Sequence, residues 1–176
     1  MSAPGGPGSA DDAVAPGAVE APTLTHVRAD GSAHMVDVSA KAVTAREASA
    51  AGRVLLGAAA VAALRGGGVP KGDALAVARI AGIQAVKRTP DLIPLAHPIA
   101  VHGVVLDLVV VDEGVEITAT VRTADRTGIE MEALTAVSVA ALALIDMVKA
   151  VDKHARITDV EVVAKSGGRS GDWSLE

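Results

Sequence analysis

The chain has 176 residues, a formal net charge of -5 and no cysteine, and half of it is hydrophobic by composition. That length suits one domain with a real core, and the missing cysteine excludes disulfides and thiolate metal sites. With an acidic balance and one Trp as the only aromatic residue, the chain has neither the basic footprint nor the stacking platforms of a nucleic-acid binder.

Taken in order, residues 1–22 are Ala, Gly, Pro, Ser and acid and read as a disordered tail, leaving residues 23–176 as a single domain. The tail lacks the positive start and apolar run of a signal peptide. Leu24 to Ala42, with His26, His34, Asp37 and Lys41, shows no period and is expected to be an extended arm. Thr44-Ala45-Arg46-Glu47 has the form of a capping box, but Val54-Leu55-Leu56 favours a strand over about 46–56. Ala58 to Arg65 reads as a helix stopped by Gly66-Gly67-Gly68. Asp73 is the predicted N-cap of a second helix, Ala74 to Val86, ended by Lys87-Arg88.

Lys87 to Pro98 holds three prolines, which fix φ and remove backbone donors. The segment is predicted to be non-helical, a stiff loop presenting His97, whose imidazole titrates near neutral pH. Val101 to Val111 and the strictly alternating Val115 to Thr123 form a hairpin around Asp112-Glu113-Gly114, with one wet face. Thr127-Gly128-Ile129-Glu130-Met131-Glu132 leads into the longest helix, to about Val148, apolar nearly all round. Ile157 to Val163 is the last predicted strand, with Val160, Val162 and Ala164 on one face, and a glycine-rich tail follows.

This order is the split β-α-β, ferredoxin-like arrangement of an α+β protein: one antiparallel sheet with helices on one face. The core must be built from Ala, Val, Leu and Ile, so helices must approach closely. The free sheet face and the over-apolar last helix both predict a homo-oligomer. The apolar stretch Ala133 to Ile145 is broken by Thr135 and Ser138 and is too short to span a bilayer, so a soluble, cytoplasmic chain with no membrane partner is expected.

Candidate chemistry falls into two groups. Asp146 and Lys149 share a helix face at i, i+3 among Leu142, Leu144, Ile145, Met147 and Val148. A lysine in such company is either paired or shifted in pKa, and either state suits proton transfer. Glu130 and Glu132 stand at the helix entrance, where acids also simply suit the dipole. Asp146 lies so far along the same helix from Glu132, roughly 21 Å, that one small ligand cannot touch both from one chain. Either the ligand is long or the site is composite; a composite site donated by different subunits is the preferred expectation, with Lys71 coming from the neighbouring copy. Lys71 follows a glycine-rich turn that is not a Walker A loop. Lys165 and Arg169, among glycine amides, form either an anion-holding turn or a flexible tail.

Beyond these single features, a series of ordered motifs resembles one family. They are Lys71-Gly72-Asp73, Ala78-Arg79-Ile80-Ala81-Gly82-Ile83-Gln84-Ala85, Lys87-Arg88-Thr89, Asp91 to Leu95, His97-Pro98, Thr127-Gly128, Glu130 to Ala136, Asp146-Met147, Lys149-Ala150 and Ala164 to Gly168. Over about Leu24 to Trp173 the chain is similar to the cyclic pyranopterin monophosphate synthases of molybdenum-cofactor biosynthesis. The resemblance implies a lyase acting on 3′,8-cyclo-7,8-dihydroguanosine triphosphate, the cyclised GTP made by an upstream radical enzyme, with release of pyrophosphate. It further implies a ferredoxin-like fold, a homohexamer built of dimers and a pocket at a subunit interface. By the same resemblance the catalytic positions are Asp146, Lys149, Lys71, His97, Glu130 and Glu132. Leu95, Ala96, His97, Met131, Glu132 and Lys165 are implied to contact substrate. Ala96 stands where the family often has Cys, so no thiol acts there. No metal ligand or cofactor is implied; Mg²⁺ would enter only with the triphosphate. The rival reading is a non-catalytic ferredoxin-like module that senses a nucleotide.

Overall fold

A computed structural model describes residues 26–175 except 29 and 170, so the tail predicted over residues 1–22 lies outside the described residues. The central strand is β1 (Thr44–Leu55), which pairs antiparallel with β3 (Gly114–Asp125) on one side and β4 (Arg156–Ser166) on the other. Pairing of Thr44 to Glu47 with Arg122 to Asp125 of β3 explains why this stretch is strand and not a helix start. β2 (Gly103–Val111) joins β3, and a short β5 (Trp173–Ser174) joins β4, giving the order β2-β3-β1-β4-β5 with antiparallel neighbours throughout. Helices α1 (Ala58–Arg65), α2 (Ala74–Val86) and α3 (Thr89–Leu92) fall between β1 and β2, and α4 (Glu130–Val148) between β3 and β4. The strand–helix alternation and the strand order are those of the ferredoxin-like fold.

The inner sheet face presents Ala48, Ala50, Val54, Leu106, Leu108, Ile117, Ala119 and Val121, all buried against α4 and its neighbour α2. Each large aliphatic side chain fully buried there contributes roughly 1.5–3 kcal/mol. The aromatic-poor composition is met by close approach. A Cβ on Gly82 of α2 would come within 2.5 Å of Leu106 Cδ2 and 2.8 Å of the Ala136 carbonyl oxygen of α4. Only glycine lets the two helices and the sheet meet there. Asp73 caps α2 as expected, accepting the Ala76 amide at 2.9 Å.

Four expectations are corrected. Between Lys87 and Pro98 one helical turn does form, α3, because Pro90 falls at its start, where a fixed φ is helical and no N–H is required. The strand β4 runs longer than expected, and its alternation breaks. Its register against β1 shifts twice and Asp159 has φ 55°, leaving Val160 36% exposed. The glycine-rich tail is tied down: the Gly167 amide donates to Asp172 Oδ1 at 2.7 Å, and β5 pairs back onto Ala164 and Lys165. Finally, α4 is a single helix of 19 residues, long and apolar enough to cross a membrane by length and composition. Its buried residues, from Ala133 through Leu144 to Val148, pack it as the core helix of this domain.

The outer sheet face carries the wet side expected of the hairpin. Ser49 and Thr120 share a hydrogen bond of 2.8 Å, Arg53 pairs with Glu116 at 2.9 Å, and Arg122 pairs with Glu47. Exposed aliphatics lie on that face only toward the edge strand β2, at Val105 and Val109, and otherwise on the helices, at Val77, Ile80 and Leu142, among the large hydrophobics of these elements.

Candidate active site

The first half of the site is set where β3 hands over to α4. Ile129, 1% exposed, pins the helix entrance into the core. Glu130 and Glu132 then occupy the first turn, where free amides and the positive end of the helix dipole favour acids. Their environments differ. Glu130 accepts a bond from Lys165 Nζ at 3.1 Å, a pair mostly withdrawn from water. Its carboxylate folds back over Gly128, where any Cβ would stand 1.9 Å from Glu130 Oε2. Glu132 is 2% exposed. Burial raises its pKa to about 7, its own backbone amide pulls the other way, and the neighbouring Glu130 charge adds to the rise.

Facing these acids is a cleft of about 630 Å³. Leu95, Ala96, His97 and Ile99 form one wall, Thr127, Gly128, Glu130, Met131 and Glu132 another, and the arm residues His26, Val36, Val38 and Lys41 a third, with Arg169 at the rim. His97 Nε2 lies 2.7 Å from the Val36 carbonyl oxygen. A carbonyl only accepts, so Nε2 carries the hydrogen, and in the neutral ring Nδ1 is left as the acceptor. Six of the predicted residues, Leu95, Ala96, His97, Glu130, Met131 and Glu132, thus line one cleft, and Lys165 joins them through Glu130.

The second half lies at the opposite end of α4. Asp146 accepts bonds from Lys71 Nζ and Lys149 Nζ, each at 2.7 Å. Those two hydrogen bonds, Lys149 first, hold its carboxyl down at a pKa of about 2. Of the two states expected for Lys149, the chain shows the paired one. Only part of the apolar company is on the other side of the helix: Leu144, Met147 and Val148 are buried, whereas Leu142, one turn before Asp146, is 58% exposed and the side chains of Lys71, Asp146 and Lys149 are 41%, 56% and 60% exposed. The expectation that Lys71 would come from a neighbouring copy is overturned, since it contacts Asp146 within one chain, brought there by the turn before α2.

Within the chain the two groups do not meet. Glu132 and Asp146 sit fourteen positions apart on one unbroken helix, about 21 Å at 1.5 Å per residue. One half offers a buried proton-holding carboxylate beside an imidazole; the other offers a fixed anion holding two ammonium groups. Among the described residues no cluster of three or more His, Asp or Glu could hold a metal. Sequence reasoning missed the arm as a wall of the cleft. Lys41 and Val36 stood out in no pattern, because an extended segment bonded through loops has no period to read.

The sequence model of the MoaC family matches residues 35–168, which includes every group just described except His26 and Arg169. The chain is 70% identical over 151 residues to a cyclic pyranopterin monophosphate synthase of Streptomyces coelicolor, covering 86% of this chain and 89% of that protein. Against the protein of the same name from Streptomyces avermitilis it is 68% identical, covering 90% and 94% of the two chains. Against that of Corynebacterium glutamicum it is 56% identical, covering 87% and 98%.

Proposed function

The chain belongs to the MoaC family, and from that premise we propose that it is a cyclic pyranopterin monophosphate synthase. Its reaction in molybdenum-cofactor biosynthesis is the conversion of (8S)-3′,8-cyclo-7,8-dihydroguanosine 5′-triphosphate to cyclic pyranopterin monophosphate and pyrophosphate. The observation that carries this reading is 56–70% identity to relatives of that name over most of the chain. They match along nearly the whole chain, from the cleft at one end of α4 to the lysine pair at the other.

The residue chemistry fits a reaction that rearranges a purine and closes a cyclic phosphate. Opening and reclosing rings needs several proton transfers, and a carboxyl whose pKa stands at about 7 can give or take one near neutral pH. His97 Nδ1 supplies a second acceptor in the same cleft. In the phosphate step a substrate hydroxyl attacks the α-phosphorus, its proton passes to a base, and the bond to the β-phosphate oxygen breaks to release pyrophosphate. Lys71 and Lys149, held in place by Asp146, are suited to charge on the triphosphate, and Mg²⁺ would accompany the triphosphate without a site of its own on the protein.

Because the halves stand at opposite ends of α4, we assign the complete site to two copies, the cleft of one facing the lysine pair of the next. A homohexamer built of dimers in the cytoplasm is the matching assembly, and the exposed Val77, Ile80 and Leu142 supply apolar surface for it. Incubating the purified chain with the cyclised GTP and measuring pyrophosphate tests the reading. Stoichiometric release is expected; binding without release would instead identify a nucleotide-sensing module.

A further inference from the structure

Arg126 belongs to none of the groups described so far, yet it spans two walls of the cleft. Its guanidinium Nε donates to the Lys41 carbonyl at 2.9 Å, 85 residues away in sequence. Its own amide is held by Asp125 Oδ1 at 2.7 Å, and Thr127 and Gly128, the next two residues, line the cleft. On the arm side, the Lys41 amide donates to the Val38 carbonyl at 3.0 Å, closing a turn, and the Ser39 amide donates to Asp37 Oδ1 at 2.8 Å. Among the described residues, two side-chain hydrogen bonds tie the arm to the rest of the domain, the His97 bond to Val36 and the Arg126 bond to Lys41.

We propose that Arg126 is a positioning residue that clasps the turn from Val38 to Lys41 across the cleft mouth and thereby fixes the Lys41 ammonium where the anionic end of the substrate enters. An extended arm with no β-ladder of its own over residues 34–43 must borrow its rigidity from such side-chain bonds. Freed at one end, it swings with Lys41 on it, and a substrate must then order it on binding. The clasp acts on binding, because neither Arg126 nor the Lys41 carbonyl stands at a group that moves a proton.

The inference rests on the proposed lyase reading only for its kinetic arm, so two measurements separate the two. Pyrophosphate release by Arg126→Ala is expected to show KM for the cyclised GTP raised about tenfold, equivalent to about 1.4 kcal/mol, with kcat lowered less than threefold. Arg126→Lys, which still reaches a carbonyl, should recover most of that loss. Lys41→Met should raise KM similarly, and the double variant should be no worse than either single one. Independently of activity, amide hydrogen exchange over residues 36–41 of the intact chain should speed at least tenfold in Arg126→Ala while α4 stays protected. An unchanged exchange rate, additive KM effects or a loss confined to kcat would overturn the clasp. Failure of the wild-type chain to release pyrophosphate would overturn the lyase reading and leave the exchange result to decide the clasp.

Discussion

Two carboxylates on one helix are shifted in opposite directions for opposite reasons. Glu132, at the start of α4, is 2% exposed, and burial lifts its pKa to about 7. Asp146, near the end, stands half in water between two ammonium groups that hold its pKa at about 2. The helix dipole would predict the reverse order, since its N-terminus favours the anion and its C-terminus disfavours it. Desolvation at one end and direct ion pairing at the other outweigh a dipole term worth only about 0.3–1 kcal/mol. One end is thus built to exchange a proton and the other to keep its charge fixed.

The most drastic way to break this division is to disable each end separately. Glu132→Gln and Asp146→Asn should each lower turnover by about 10²–10⁴-fold, the usual worth of a positioned acid–base group. Mixing the two after subunit exchange should restore part of the activity, because one intact composite site then forms. Mixing Lys71→Ala with Asp146→Asn should restore none, since both lie in the same half. Rescue in that second mixture, or none in the first despite proven exchange, would dismantle the two-ended site.

The next largest effect is on stability. A carboxyl with a folded pKa of about 7 against an ordinary 4.5 binds more protons folded than unfolded between those values. Stability tied to Glu132 is therefore full below pH 4.5 and is lost as pH rises through about 7, by about 3 kcal/mol in all. Glu132→Gln should match the parent at pH 4 and exceed it at pH 8.5 by an amount of that order, measured by chemical denaturation. A constant difference across that range would mean the carboxyl is not neutral in the folded chain.

That charge division was only partly legible beforehand. The sequence reading placed β1 to β4, α1, α2 and α4, though not β5, because their apolar periods and caps, such as Asp73, act locally. It also placed both acids and the lysines, and deduced from helix length alone that the two groups cannot meet in one chain. It could not tell which side of α4 each acid faced, because a helix apolar nearly all round carries no amphipathic signal. Nor could it see that Lys71 reaches Asp146, 75 positions later, since that contact depends on how the turn after α1 folds back. The prolines near His97 misled for a physical reason: Pro90 is a breaker inside a helix but a starter at its first turn.

A finer test lies at Gly128. Placing a methyl there pushes Glu130 off its seat, and because the far end of a glutamate can swing aside, the fold should survive. Gly128→Ala should lower kcat/KM about tenfold, about 1.4 kcal/mol, with a near-normal melting midpoint, by weakening the hold of Lys165 on Glu130. The smallest effect belongs to the exposed end. Its depressed pKa means that Asp146 stabilises the chain above pH 3.8, a contribution lost as pH falls through about 2. Exposed pairs are screened and weak, so Asp146→Asn should leave the thermal midpoint at pH 7 almost unmoved despite its large loss of turnover.

Carrying both halves on one rod has a consequence for how such a protein can vary. Inserting a single residue within α4 would lengthen the span by 1.5 Å and rotate one end by about 100° against the other, and the rod is wedged against a sheet that tolerates neither change. The gauge between the halves is thereby locked to the packing of the interior. Chemistry at each tip can drift by substitution, but the separation between the two composite sites that one chain serves is inherited with the fold.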